Sequence, residues 1–198
     1  MMQRRRLPLF VLPIVLVPHA VLPLHVFEPR YRRMVARCLE TDRCFGVLFH
    51  DGEAGPPFVL QEDVIGCVAE IIEFRPLPDG RSIILCRGRE RFRVLDGIEN
   101  ADDYAEALVE GYADAADEPG DIREQRQRVI ELFTDAVAQV AGAQDITDVT
   151  LPTANGGDVS FRIAAFLQSD PRWLQALLEL PTEHGRLGLI ERALLDEP

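Results

Sequence analysis

The chain has 198 residues, 47% of them apolar, and a formal net charge of -12 at pH 7, a composition typical of globular domains and not of disordered segments. All 21 basic residues are arginine, which excludes a lysine-dependent phosphate-binding loop, a Ser–Lys dyad and lysine Schiff-base chemistry within it. No apolar stretch long enough to span a membrane is free of prolines, so no transmembrane helix is predicted.

The charge is unevenly distributed along the chain. Residues 1–97 hold 14 arginines and 12 acidic residues, a net charge of +2, whereas residues 98–198 hold 7 arginines and 21 acidic residues, a net charge of -14. This asymmetry predicts two parts with different surfaces. The overall negative charge disfavours the chain as a non-specific nucleic-acid binder.

The first twenty residues imitate an export signal, because three arginines precede an apolar run. Prolines interrupt that run every five residues, and they would break the helical core of such a signal. We therefore expect the segment to be retained. It is predicted to contain a strand with Leu7, Leu9 and Val11, followed by a proline-rich connection.

A helix is predicted to begin at Glu28 and Pro29, because proline suits the first helical position and a carboxylate suits the positive end of the dipole. Its apolar positions recur at helical spacing and are Tyr31, Met34, Val35, Cys38 and Leu39.

Strands are predicted around this helix and helices after it. The strand-like segments are Cys44–Phe49, Val64–Phe74, Arg81–Cys86, Arg89–Leu95 and Tyr104–Tyr112, with a turn at residues 78–80. Beyond residue 117 the apolar spacing is helical, with helix starts near residues 121, 158, 171 and 181. We therefore expect an α+β chain with a β part over residues 1–116 and a helical part over residues 117–198.

The run LPLHVFEPRYRRMV at residues 22–35 resembles the N-terminal substrate-binding domain of the Lon protease family. Further similar motifs follow in order: FGV at residues 45–47, IGCVAEI at residues 65–71 and GRERFRV at residues 88–94. The likeness is clear over residues 7–112 and weaker to about residue 195. Pro18-His19 and His25 depart from the usual family pattern.

This resemblance implies a PUA-like β-barrel with one inserted helix, followed by a C-terminal helical bundle. It also implies binding of unfolded or peptide segments of client proteins. The ATPase and protease modules of full-length Lon would not fit in 198 residues and need lysines that the chain lacks. The resemblance therefore implies a stand-alone, non-catalytic form.

The peptide-binding candidates form an apolar group in the motif, where they would either line a groove between barrel and bundle or pack in the interior. They are Leu22, Leu24, Val26 and Phe27. The other motif residues are expected to be structural, and the rings of Phe27 and Tyr31 are also expected in the core. These structural residues are Glu28, Pro29, Arg30, Tyr31, Gly66, Gly88 and Phe92.

An alternative function, RNA or nucleotide binding, rests on arginines at alternate positions of one strand, which would share a face. They are Arg87, Arg89, Arg91 and Arg93. Acidic residues on neighbouring strands would instead pair with them, and we expect this pairing to prevail. The candidates are Glu70, Glu73, Glu106 and Glu110.

Other chemistry has little support in the sequence. The four histidines lack metal-ligand spacing, no serine lies in a GxSxG motif, and the four cysteines form no CxxC pair. We expect no enzyme activity, cofactor or metal, and buried free thiols in a cytoplasmic protein. A hydrolase with an unrecognised site and association between copies of the chain stay open.

Overall fold

Strand-forming and helix-forming segments combine into an α+β fold in the computed structural model, as predicted. The structure describes residues 4–52, 58–99, 101–116, 122–141, 152–154, 157–167 and 169–196. The chain packs into two compact units: the first comprises residues 1–113 and 169–178, and the second comprises residues 114–168 and 179–198.

Six strands of the first unit form one mixed sheet. They are β1 (Arg5–Leu12), β2 (Val21–Val26), β3 (Cys44–Phe49), β4 (Ile65–Pro76), β5 (Ser82–Ile98) and β6 (Ala105–Gly111). Their order is β2-β5-β4-β3-β1-β6; β1 and β3 pair in parallel, and the other pairs are antiparallel. Because β6 also pairs with β5, the pairings form a ring of five strands that leaves β2 outside.

Apolar side chains of this sheet form two clusters, since successive residues of a strand point to opposite faces. The ring cluster contains Leu7, Leu9, Leu48, Val68, Phe92, Val94, Ala107 and Val109. The helix cluster, on the other face, includes Phe10, Phe45, Val47, Cys67, Ile71, Ile84 and Cys86 together with side chains of α1.

The helix α1 spans Pro29–Leu39 and begins where the sequence predicts. Tyr31, Met34, Val35 and Cys38 are buried in the helix cluster. The predicted apolar stripe is therefore confirmed, and it holds α1 against the sheet.

Two strands differ from the prediction. Residues 21–26 form the separate strand β2, where the sequence predicts a connection. The two strands expected within residues 81–95 are one continuous strand, β5, whose pairing with β4 contains two register shifts. A bulge lets a long strand bend without interruption, so Gly88 does not end it.

The second unit contains α2 (Ile122–Ala141), α3 (Val159–Ala164) and α5 (Glu183–Asp196). Residues up to Leu178 of α4 (Pro171–Glu179) group with the first unit, where the Gln175 amide donates to the Ile65 carbonyl at 3.1 Å. The expected boundary at residues 116–117 adjoins residues 117–121, which lie outside the described residues. No helix in the described part of the chain is both long and apolar enough to cross a membrane.

Candidate functional site

The Glu-Pro-Arg-Tyr motif holds the start of α1 against the sheet. The Tyr31 ring stacks on Phe10 with ring centroids 3.9 Å apart, and burial raises the pKa of the Tyr31 hydroxyl. Arg30 covers the outer face of that ring at 4.5 Å and donates to the Glu28 carboxylate at 2.9 Å. Pro29 occupies the first helical turn. The polar groups of the motif therefore position α1.

The motif glycines stand where another chain segment approaches closely. A Cβ on Gly66 would lie 2.6 Å from Phe92 Cζ and 2.6 Å from the Val47 carbonyl oxygen. A Cβ on Gly88 would lie 2.1 Å from the Val17 carbonyl oxygen. Side chains at these glycines would displace the Phe92 ring or the backbone that crosses β5.

The peptide-binding candidates on β2 lie on two different faces. Val26 is only 1% exposed, and Leu22 and Leu24 pack against the helix cluster. Phe27 has 57% of its surface exposed, so the expectation of a buried Phe27 ring is wrong. The residue follows β2 directly and continues the alternation onto the outer face.

That outer face of β2 carries a further apolar set. Val21 is 54% exposed, Pro23 is exposed, and the register places Pro23 opposite Leu85 and His25 opposite Ile83. Both β5 side chains are half-buried. We call this set the outer apolar surface; it comprises Val21, Pro23, Phe27, Ile83 and Leu85.

Sequence reasoning missed all of this set except Phe27. Residues 21–27 are nearly all apolar, so the sequence itself shows no alternation between exposed and buried side chains, and the two faces follow only once the segment is recognised as a strand. The prolines at 18 and 23 obscured it, since proline is uncommon in strands but is tolerated at a sheet edge.

The four arginines of the alternative site do not share one face. β5 bulges between Gly88 and Arg91. Cys86 belongs to the helix cluster and Phe92 to the ring cluster, although a regular strand would direct both to the same face. Arg87 therefore points to the opposite face of the strand from Arg91, and the expected single stripe is wrong.

Two of these arginines make the predicted cross-strand ion pairs. Arg89 lies 3.4 Å from Glu70, and Arg93 Nε lies 3.8 Å from Glu110. These acids belong to β4 and β6, the neighbours of β5. Their carboxylates offset the positive charge that would otherwise attract phosphate.

The other two arginines differ strongly in exposure. Arg91 is only 3% exposed, donates through Nη1 to the Leu178 carbonyl at 2.6 Å, and lies 4.5 Å from the centre of the Tyr112 ring. Arg87 is exposed and makes no ion pair with any residue that the structure describes. Within this group of four, only Arg87 is exposed without an ion pair to a described residue, although Glu70 lies opposite it in the register of β4 and β5.

The cysteines are free thiols in buried or half-buried positions. Burial raises the pKa of the Cys38 and Cys86 thiols to about 12 and that of Cys44 to about 11, and it also raises the pKa of Cys67. The thiolate is the nucleophilic and metal-binding form, and the raised pKa values disfavour that form near neutral pH. Among the described residues, no three His, Cys, Asp or Glu side chains cluster as metal ligands.

Charged groups inside the second unit form a buried network. Arg186 is fully buried. It donates to the Asp114 carboxylate at 3.0 Å through Nη1 and to the Ser160 hydroxyl at 2.9 Å through Nε. Glu183 pairs with Arg126 and accepts the Ser160 backbone N–H at 3.3 Å. The network satisfies groups that would be costly to bury alone, so Ser160 has a structural partner.

Together, the fold and this surface define the class of protein: an α+β domain whose sheet ends in an edge strand with exposed apolar side chains. The chain belongs to the ATP-dependent protease La (LON) substrate-binding domain family, whose model matches residues 6–195. The resemblance to the Lon N-terminal domain is thereby confirmed. In this family, the domain is a non-catalytic module.

Individual relatives agree with this assignment. Lon protease 2 of Syntrophobacter fumaroxidans is 27% identical over 184 residues, which cover 89% of this chain and 23% of the relative. The chain spans between 11% and 23% of the length of three curated relatives that it matches.

Two solved structures have the same fold. The Lon N-terminal domain protein from Xanthomonas campestris gives a TM-score of 0.67 at 24% identity and covers 98% of this chain and 99% of its own. The N-terminal domain of Mycobacterium avium complex Lon protease gives a TM-score of 0.76 at 14% identity, with coverage of 98% and 100%. At these identities the likeness shows the fold alone.

Proposed function

We propose that this chain binds apolar segments of unfolded or extended client polypeptides at the outer apolar surface. The exposure of Val21 and Phe27 beside Pro23 on an edge strand carries the proposal. Contiguous exposed apolar groups mark interaction sites on folded domains. Membership of a family of substrate-binding domains supports the same function.

The outer apolar surface suits weak binding of many clients. Covering each 100 Å² of apolar surface contributes about 2.5 kcal/mol, and association itself costs about 4–15 kcal/mol. A surface made by five side chains therefore supports modest affinity with little sequence selectivity. That behaviour suits a module that selects clients or acts as an adaptor in protein quality control.

Other features of the protein are proposed together with this function. The ring of strand pairings supports a PUA-like barrel. Free thiols support a reducing, cytoplasmic location. The commitment of Arg89, Arg91 and Arg93 to partners inside the fold supports a polypeptide ligand over a nucleic acid.

The test compares aspartate substitutions on and off the surface, using a fluorescently labelled, permanently unfolded polypeptide as the probe. Val21→Asp and Phe27→Asp should each weaken binding about tenfold, which corresponds to about 1.4 kcal/mol. Val59→Asp is the matched control, because Val59 is 71% exposed and lies outside the outer apolar surface. Equal affinity of all three variants and the unmodified chain would refute the proposed site.

A further inference from the structure

We propose that the client binds as an added β-strand along the free edge of β2, an inference that rests on the proposed function. β2 pairs with β5 on one side and with no other strand in the described part of the chain. Strand addition combines main-chain hydrogen bonds with contacts to alternate side chains. The free edge of β2 offers both.

One hydrogen bond and the register determine which β2 residues direct their backbone N–H and C=O groups toward β5 and which direct them to the free edge. The Gly88 amide donates to the Ala20 carbonyl at 2.8 Å, and the register continues with Val21 opposite Arg87. In an antiparallel ladder, pairs that exchange hydrogen bonds alternate with pairs that do not. The residues that direct backbone groups to the free edge are therefore Val21, Pro23 and His25.

This edge lacks the charges that usually protect a sheet edge from pairing. Residues 20–27 contain no acidic residue and no arginine, and Pro23 is the one interruption among their backbone donors. Pro23 lies at an outward position, where its missing N–H removes no bond to β5 but leaves its ring in place of one donor at the free edge. The carbonyls of Val21, Pro23 and His25 and two N–H groups remain for an incoming strand.

The same residues supply the side-chain contacts. Val21, Pro23 and His25 direct both their side chains and their free backbone groups toward solvent. A strand added at this edge would place every second side chain beside them, on the face of the outer apolar surface. One extended segment would thus use the backbone edge and the apolar surface together.

The positive charge of Arg87 beside this edge favours an added strand that carries an acidic residue. On β5, Arg87 lies between Val21 of β2 and Glu70 of β4 in the register, is exposed, and has no ion pair with a described residue; the Glu70 carboxylate pairs with Arg89 instead. Its long side chain lies one strand inward from the edge, within reach of a carboxylate on the added strand. The partner is therefore an extended segment with alternating apolar residues and an acidic residue near the Val21 end.

A second copy of this chain fits the edge less well. In antiparallel self-pairing of β2, each copy would contribute Pro23, so two hydrogen-bond donors would be missing. When the added strand is a client segment without proline, the N–H of Pro23 is the only donor missing from the pair of strands. Self-pairing would also bring Arg87 of each copy to the same interface without a carboxylate.

The test uses a short labelled peptide that alternates valine with threonine and carries one aspartate, together with versions N-methylated at each position in turn. An N-methyl group removes one donor and blocks pairing on that side of the strand. We expect alternate N-methyl positions to weaken binding about tenfold and the intervening positions less than about twofold. Only strand addition produces a period of two.

A protein variant provides a second measurement. His25→Pro and His25→Ala both lose the imidazole, but only His25→Pro also loses the outward N–H, so His25→Pro should bind the peptide about tenfold more weakly than His25→Ala. Matched circular dichroism and melting of the two variants establish that both are folded. The N-methyl series needs only the unmodified chain and tests the inference even if His25→Pro does not fold.

The outcomes separate this inference from the proposed function. Peptide binding that Val21→Asp weakens, but that shows no N-methyl periodicity, would overturn strand addition and leave the outer apolar surface as a side-chain site. Binding that neither Val21→Asp nor Phe27→Asp weakens would overturn both. Dimerisation that His25→Pro abolishes, without peptide binding at this edge, would identify a second copy as the occupant and overturn the client assignment.

Discussion

Gly66 of β4 lies where the Phe92 ring and the β3 backbone both approach closely. Gly66→Ala would place a methyl group 2.6 Å from both Phe92 Cζ and the Val47 carbonyl oxygen. Because both neighbours are buried, we expect a loss of about 1–3 kcal/mol in the free energy of unfolding, measured by urea denaturation. Gly52→Ala is the control, since nothing lies within 4 Å of that Cβ. Equal stability of the two variants would contradict this role of Gly66.

Two phenylalanines of the family motifs should respond differently to truncation. Phe92 is 1% exposed in the ring cluster, so Phe92→Ala should cost about 3–5 kcal/mol of unfolding free energy. Phe27 is 57% exposed, so Phe27→Ala should cost less than about 1 kcal/mol. Urea titration of both variants measures these values. A large loss in Phe27→Ala would mean that its ring stabilises the fold and is unsuitable as a client contact.

At the scale of elements, the bulge in β5 gives neighbouring arginines unequal roles. Arg91→Met should lower the free energy of unfolding by about 2–3 kcal/mol, because it leaves the buried Leu178 carbonyl without a charged donor. Arg89→Met should cost less than about 1 kcal/mol, since its pair with Glu70 is partly exposed. Thermal and urea unfolding test the difference. Similar losses would show that both arginines contribute equally to the fold.

The sequence predicts well those elements whose start signals and apolar spacing lie within their own residues. The proline and apolar spacing of α1 predict both its start and its buried side, and the uninterrupted apolar run of β3 predicts its bounds. The bulge in β5 is set by pairing with β4, and Gly88 is its one local signal; a glycine suits a turn as well as a bulge, so the faces of Arg87 and Arg91 were not predictable.

The candidate site was only partly predictable for a related reason. The motif drew attention to residues 22–27, and Phe27 is an exposed member of the outer apolar surface. The buried side of β2 is set by α1 and β5, which pack against it from elsewhere in the chain. Sequence alone therefore located the segment but not the face that solvent reaches.

For the whole molecule, motif order was more informative than composition. The ordered matches around residues 22–35, 65–71 and 88–94 predicted the family, which the match over residues 6–195 confirms. Apolar spacing predicted a helical part from residue 117 onward, yet most of α4 groups with the sheet. Helical periodicity shows that an apolar face is buried but does not specify the partner that buries it.

The electric field of the whole chain disfavours the approach of RNA. The chain has a net charge of -12, so a phosphate backbone approaching any arginine also approaches a negative molecule. Among the four arginines of β5, only Arg87 is both exposed and without an ion pair to a described residue. A single guanidinium releases too few counterions for strong binding.

We therefore expect fluorescence anisotropy to show no complex with single-stranded RNA tighter than about 1 μM at physiological salt, the upper range of non-specific affinity. Arg87→Glu should leave this result unchanged while weakening the binding of an aspartate-bearing peptide. The control is Arg89→Glu, whose side chain already pairs with Glu70. Submicromolar RNA binding that both reversals abolish, with melting unchanged, would mean that the arginines of β5 form a phosphate site and that RNA, not a client polypeptide, is the ligand.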